Sequence, residues 1–300
     1  MLYYRRKILL ALLELFGNHL TAKQLQKYLF LFTRQQQCTK VFDFVPYYYG
    51  CFSFQANQDI VTMTKYGYLQ ISEQKDGRSI QLKQKGNYIQ KLNIEDQLAL
   101  KDVKDKFGAM SQVELIRYTY QKYPFYATKS IIASKILTKE DLANIEKQKR
   151  YYADTQLFTI GYEGVSLEKY INQLIINDVH ILCDVRKNAY SQKYGFSKSQ
   201  LQKACEGVGI KYIHVPQLGI ESNKRKDLTS QKDYDLLFDE YECTTLKNNK
   251  EALNYISSLI DTHKRVALTC FEKDPKQCHR SRVAKALLNT SNKNLKLKLL

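Results

Sequence analysis

The sequence predicts a two-part chain: an N-terminal winged helix-turn-helix with a helical linker, then an α/β Rossmann-like domain on a mainly parallel sheet. Three observations predict it. The 300 residues exceed one ordinary core, and 44% apolar content is enough to fold two. The first third reads as helices followed by a hairpin signal, and from about residue 155 short apolar strands alternate with helices.

Residues 3–16, YYRRKILLALLELF, carry apolar side chains at helical spacing; GNHLTA breaks the pattern and KQLQKYLFLFTRQQQ resumes it. After the aromatic stretch VFDFVPYYYGCFSF, a third helical pattern runs to about Lys65. YLQIS and SIQLK then alternate apolar and polar residues around KDGR, whose Asp-Gly pair signals a two-residue hairpin. Helices followed by a basic-tipped hairpin suggest a winged helix, one helix entering a DNA groove and the wing touching phosphates. The bases expected to meet nucleic acid are Lys23, Lys27, Lys75, Arg78 and Lys83. The alternative is the same fold used only for protein contacts. TKYGYL…GRSIQLKQKG resembles bacterial winged-helix regulators, and QLQKYLFLFT with FVPYYYGCFS is similar to antitoxin-type domains of the Panacea group, from which no function is taken.

This reading places a winged-helix-like domain at 1–92, a connecting helical segment at 93–152, an α/β domain at 153–292 and a basic tail at 293–300 that frays or docks weakly. The net charge of +17 is densest in the first of these, where bases lie close to tyrosines. That favours a nucleic-acid partner, DNA rather than RNA, and admits a homodimer. Seven cysteines, at 38, 51, 183, 205, 243, 270 and 278, are scattered with no CxxC pair, and no signal-peptide core is evident. A reducing cytoplasm is expected. No apolar run approaches the roughly 18 residues of a spanning helix, so no membrane partner is expected.

The chemistry concentrates at the predicted strand ends: Tyr162 and Glu163, Asp184 and Arg186, His214, and Cys270 and Glu272. Asp184 and Arg186 share a strand face, so they can pair, or the arginine can turn to a ligand oxyanion. The following loop offers Ser191 and Lys193. The stretch LTCFEKDPKQCHRSRVAKAL, residues 268–287, admits three readings. A metal site is not expected, because Cys270, Cys278 and His279 lack compact ligand spacing. A thiol reading puts Cys270 at a strand end where helix-opening N–H groups and bases lower its pKa, against the ordinary buried cysteine. An anion cradle uses Lys276, Arg280 and the helix amino end. Glu272 beside that cradle is an ion-pair partner of Arg280, a general acid/base, or a nucleophile.

FTIGYEG, DVRKNAYSQKYGFSK, YIHVPQLG and LTCFEKDPKQCHRSRVA resemble, in order, the bacterial domain of unknown function 488 family over about residues 157–290. The matching positions include Gly161, Asp184, Arg186, Ser191, His214, Gly219, Cys270, Glu272, Cys278, His279 and Arg280. Ala189 and Gln192 depart from the pattern, where proline and arginine are usual, and the second change removes one anion contact. ILCDVR and VALTC are also similar to elements of rhodanese-like domains, although the loop after the cysteine is longer and lacks glycine.

The expected function is a nucleic-acid-associated enzyme, a hydrolase or transferase acting on a nucleotide-like anionic substrate at a glycosidic or phosphate bond. Its catalytic residues are Glu272, Asp184, His279 and Cys270; its substrate contacts are Arg186, Ser191, Lys193, His214, Lys276, Cys278, Arg280 and Tyr162. No cofactor is expected. A ligand-sensing DNA-binding regulator and thiol chemistry at Cys270 are the alternatives.

Overall fold

The computed structural model describes every residue except 1, 37–39, 75–76, 226–227 and 291–294, and the side chain of Ser222. Two compact units emerge, Met1–Lys149 and Arg150–Leu300.

In the first unit, α1 (Tyr4–Leu15), β1 (His19–Thr21) and α2 (Ala22–Gln35) are followed by the hairpin β2 (Val45–Tyr47) and β3 (Gly50–Phe52). Then come α3 (Phe54–Lys65), β4 (Leu69–Gln74) and β5 (Gly77–Leu82). Helix starts follow side-chain capping: Thr21 and Gln24 form a reciprocal capping box on α2, and Ser53 accepts from Ala56 N–H on α3. The strands form an antiparallel sheet in the order β1-β5-β4. At the β2–β3 turn Gly50 has φ +90°, and a Cβ there would lie 2.4 Å from the Tyr120 ring.

The helices expected as a connecting segment pack into this unit. They are α4 (Ile94–Phe107), α5 (Gln112–Lys122), α6 (Ala133–Ile136) and α7 (Lys139–Glu146). Leu100, Val103, Phe107 and Leu115 join Leu25, Leu29 and Phe30 in one core. Burial of that shared apolar face, rather than sequence proximity, assigns them to the first unit.

The expected nucleic-acid contacts separate by exposure. Lys83 is exposed, Arg78 is exposed and pairs with Glu73, and Lys23 lies 4.6 Å from the Tyr49 ring centroid. Lys75 lies outside the described residues. Lys27 corrects the expectation: it is buried, and its ammonium donates to the carbonyls of Tyr49 (2.5 Å) and Cys51 (3.3 Å). Burial holds its pKa below the usual lysine value. It braces the β2–β3 hairpin and does not reach a surface phosphate.

The second unit is an α/β domain. Its elements are β6 (Gln156–Gly161), α8 (Leu167–Ile176), β7 (Ile181–Asp184), α9 (Lys198–Glu206), β8 (Lys211–His214), α10 (Gln231–Tyr241), α11 (Lys250–His263), β9 (Arg265–Cys270), α12 (Arg280–Thr290) and β10 (Lys296–Leu299). The five strands pair in parallel in the order β10-β6-β9-β7-β8. Both faces are covered, which is why the strands read as continuous apolar runs. Leu157, Ile181, Val266 and Leu268 pack with Ile256 of α11 and Val283 of α12. On the other face Tyr170 of α8 donates to Thr269 Oγ1 at 2.7 Å.

The tail expected to fray or dock weakly supplies, in its described residues, β10, which hydrogen-bonds alongside β6 and receives Gln156 Nε2 at Lys296 O (2.6 Å). Among the described residues no helix is long and apolar enough to cross a membrane.

Candidate active site

Parallel strands bring their carboxyl ends to one edge of the sheet. Gly161 ends β6 opposite Cys270 of β9, and a Cβ on it would lie 2.0 Å from the carbonyl oxygen of Glu272. Only glycine lets the loop after β9 cross so closely. The Tyr162 and Glu163 N–H groups both donate to Phe271 O (3.1 and 3.0 Å), and Lys273 N–H donates to the Glu163 carboxylate (2.9 Å).

Asp184, at the end of β7, is fully buried. Its carboxylate accepts from Arg186 Nε (2.8 Å), Arg186 Nη2 (2.5 Å), Arg186 N–H (3.1 Å) and Tyr212 OH (2.6 Å). Four donors saturate the acceptor sites of a carboxylate, so Asp184 positions Arg186 and has no lone pair left for catalysis. Arg186 also donates to Tyr162 OH (2.6 Å). Burial alone would lower the guanidinium's pKa, but Asp184 beside it holds it above the ordinary value. His214 Nε2 donates to Arg186 O (2.8 Å), so it fixes the same backbone.

The loop after β9 folds back on itself. Asp274 accepts from Lys276 N–H (2.8 Å), a short 3₁₀ turn spans Pro275–Gln277, and Cys278 and His279 then lead into α12. Arg280, expected to bind a substrate anion, is buried and donates to the carbonyls of Glu272 (2.5 Å) and Lys273 (3.2 Å). It clamps the loop. Lys276 is exposed on that loop, so the expected cradle of Lys276 and Arg280 does not form.

The residue that pairs with Glu272 is Arg225, from the turn Ser222–Arg225. Arg225 also donates to His279 Nδ1 (2.6 Å), while His279 Nε2 donates to Val185 O (2.9 Å). These neighbours fix the Nε2–H tautomer and leave the Nδ1 lone pair inside the cluster, 3.6 Å from Cys270 Sγ. Burial would raise the Cys270 thiol, but a hydrogen bond from Cys278 and the adjacent His279 and Arg225 bring it well below the ordinary value. Burial raises the Glu272 carboxyl, with Arg225 opposing, and Glu272 Oε2 is buried with no hydrogen-bond partner among the described residues. Cys270, Glu272, Cys278 and His279 offer donor atoms that all lie within 4.8 Å of one another. Arg225 was missed because its segment, IESNKRKDLTS, has no apolar periodicity; its one signal was a run of bases.

A cavity of about 310 Å³ opens over this cluster, with Cys270, His279, Arg225, Arg186, Lys187 and Lys193 in its lining. Tyr162 forms a wall, its ring stacked on Phe196 at 4.3 Å and 7°. Lys193 donates to Tyr162 O (2.6 Å), and burial lowers its pKa. Ser191 also lines the cavity and accepts from Lys193 N–H (3.2 Å).

A parallel sheet with converging polar groups beyond its carboxyl ends defines an α/β domain with a strand-end site. The model of the family described as "Domain of unknown function DUF488" matches residues 166–287, a segment within the second unit. No curated protein and no solved structure matches the chain.

Proposed function

We propose that Arg150–Leu300 is an enzyme domain, a hydrolase or transferase acting on a nucleotide-like anion, and that Met1–Lys149 is a winged-helix unit that binds nucleic acid. The observation carrying the first part is the cavity in which Arg225, Lys187 and Lys193 lie beside the Cys270–His279 cluster, with Glu272 held by Arg225. A cationic, aromatic-walled pocket suits a phosphate and a base, and buried donors worth little in water act strongly there. Glu272 is the carboxylate at the reacting centre. The strand order β1-β5-β4, reached through α1, α2 and α3, supports the winged-helix part.

The test is turnover of a nucleotide library followed by mass spectrometry, on the wild-type chain and Glu272→Gln. Expected are product from the wild type and loss of turnover, with anion binding retained, in the variant. Full activity in Glu272→Gln refutes the carboxylate role. Duplex binding modulated by a nucleotide, with no product, would instead establish a ligand-sensing regulator.

A further inference from the structure

We propose that Cys270, Cys278 and His279, with Glu272 as an exchangeable fourth donor, form a zinc-type divalent metal site, and that a bound ion takes over the contacts Arg225 makes with Glu272 and His279. The inference deepens the reading of this cluster as a reacting centre and rests on it.

Sequence spacing argued against a metal, because seven residues separate the two cysteines. The fold removes that objection. The 3₁₀ turn Pro275–Gln277 and the grip of Arg280 on the Glu272 and Lys273 carbonyls return Cys278 and His279 to the end of β9. One donor atom from each of the four residues then falls within 4.8 Å of all the others.

The finer geometry agrees. With Zn–S near 2.3 Å and Zn–N near 2.0–2.1 Å, a tetrahedral site has an S···N edge of ~3.6 Å. The Cys270 Sγ to His279 Nδ1 distance is 3.6 Å. His279 gives its other ring N–H to the Val185 carbonyl, the outer contact that orients metal-binding imidazoles. Glu272 Oε2 is a buried acceptor with no partner among the described residues, and Arg225 bonds two of the four donor groups. A guanidinium in that position neutralises the carboxylate as a bound cation would. Two sulfurs, an imidazole and one carboxylate select zinc over magnesium or calcium. A metal here leaves Arg225 free to meet a substrate anion in the cavity it lines.

The experiment titrates the reduced, chelator-treated full chain with cobalt(II), the spectroscopic stand-in for zinc. Expected are one equivalent bound, a near-ultraviolet thiolate-to-cobalt band and the intense visible bands of a tetrahedral site. Cys278→Ser should lose part of the thiolate band and bind about tenfold or more weakly, with circular dichroism confirming the fold. Arg225→Ala should bind at least as tightly as the wild type. No thiolate band in the wild-type chain, or an unchanged band in Cys278→Ser, overturns the site. Turnover in a wild-type chain that shows no thiolate band overturns the site while the functional reading stands; cobalt binding with no anion binding or turnover does the reverse.

Discussion

Replacing Asp184 by asparagine tests whether this residue is structural machinery. The substitution removes the carboxylate that pairs with Arg186, whose side chain is 6% exposed, and places an amide N–H₂ among the donors that now converge on the carboxylate. Breaking a buried ion pair by removing one partner costs about 3–5 kcal/mol. At about 2–4 °C per kcal/mol for a domain of this size, the second unit should melt ~6–20 °C lower. Scanning calorimetry of the full chain measures this. The double variant Asp184→Asn with Arg186→Met removes the stranded charge as well, and should recover more than half of the loss, since buried pairs are often replaceable by apolar groups. A single variant within about 1 kcal/mol of the wild type, or a double variant no better than the single, refutes the reasoning.

Two further outcomes follow from packing and burial. Gly161→Ala introduces a Cβ 2.0 Å from Glu272 O and 2.8 Å from its carbonyl carbon, so the loop after β9 must retreat. Overpacking of this kind costs about 1–3 kcal/mol; an unchanged melting temperature together with unchanged anion affinity would show that the close crossing is not needed. In iodoacetamide mapping near pH 7, exposed Cys243 should be modified, and Cys183, whose thiol burial pushes up to about 12, should not. Equal rates at the two would mean that the sheet opens on the labelling timescale.

The strands of the second unit were legible because buried parallel strands are unbroken apolar runs, as in HILCDV and RVALTC. KLKL, by contrast, is short and alternates charge, so nothing marked it as the edge strand β10 before its partner was known. The helices α4 and α5 were visible as helices, but polar breaks hid that their apolar faces belong to the first core. At the site, Glu272, Cys270 and His279 were legible as a cluster at a strand end. The pairing of Arg186 with Asp184 was one of two readings; the roles of Arg280 and Arg225 were not legible, because an arginine's partner is set by tertiary contact: Arg280 turned to carbonyls, and Arg225 came from a segment with no periodicity. Lys27 shows the same limit, since a buried lysine and a surface lysine look alike without the hairpin that accepts its bonds.

The central strand β9 is flanked by β6 on one side and β7 on the other. β6 and β7 never pair with each other, so although β7 pairs with β8 and β10 with β6, the two strand pairs join only through β9. Every pairing that joins β6 to β7 spans a long stretch of chain, which makes assembly slow and strongly cooperative. The cluster of Cys270, Glu272, Cys278 and His279 begins on the last residue of that strand, Cys270. A fragment, splice or truncation that removes β9 therefore takes away Cys270 and the one strand that joins the two strand pairs into a single sheet.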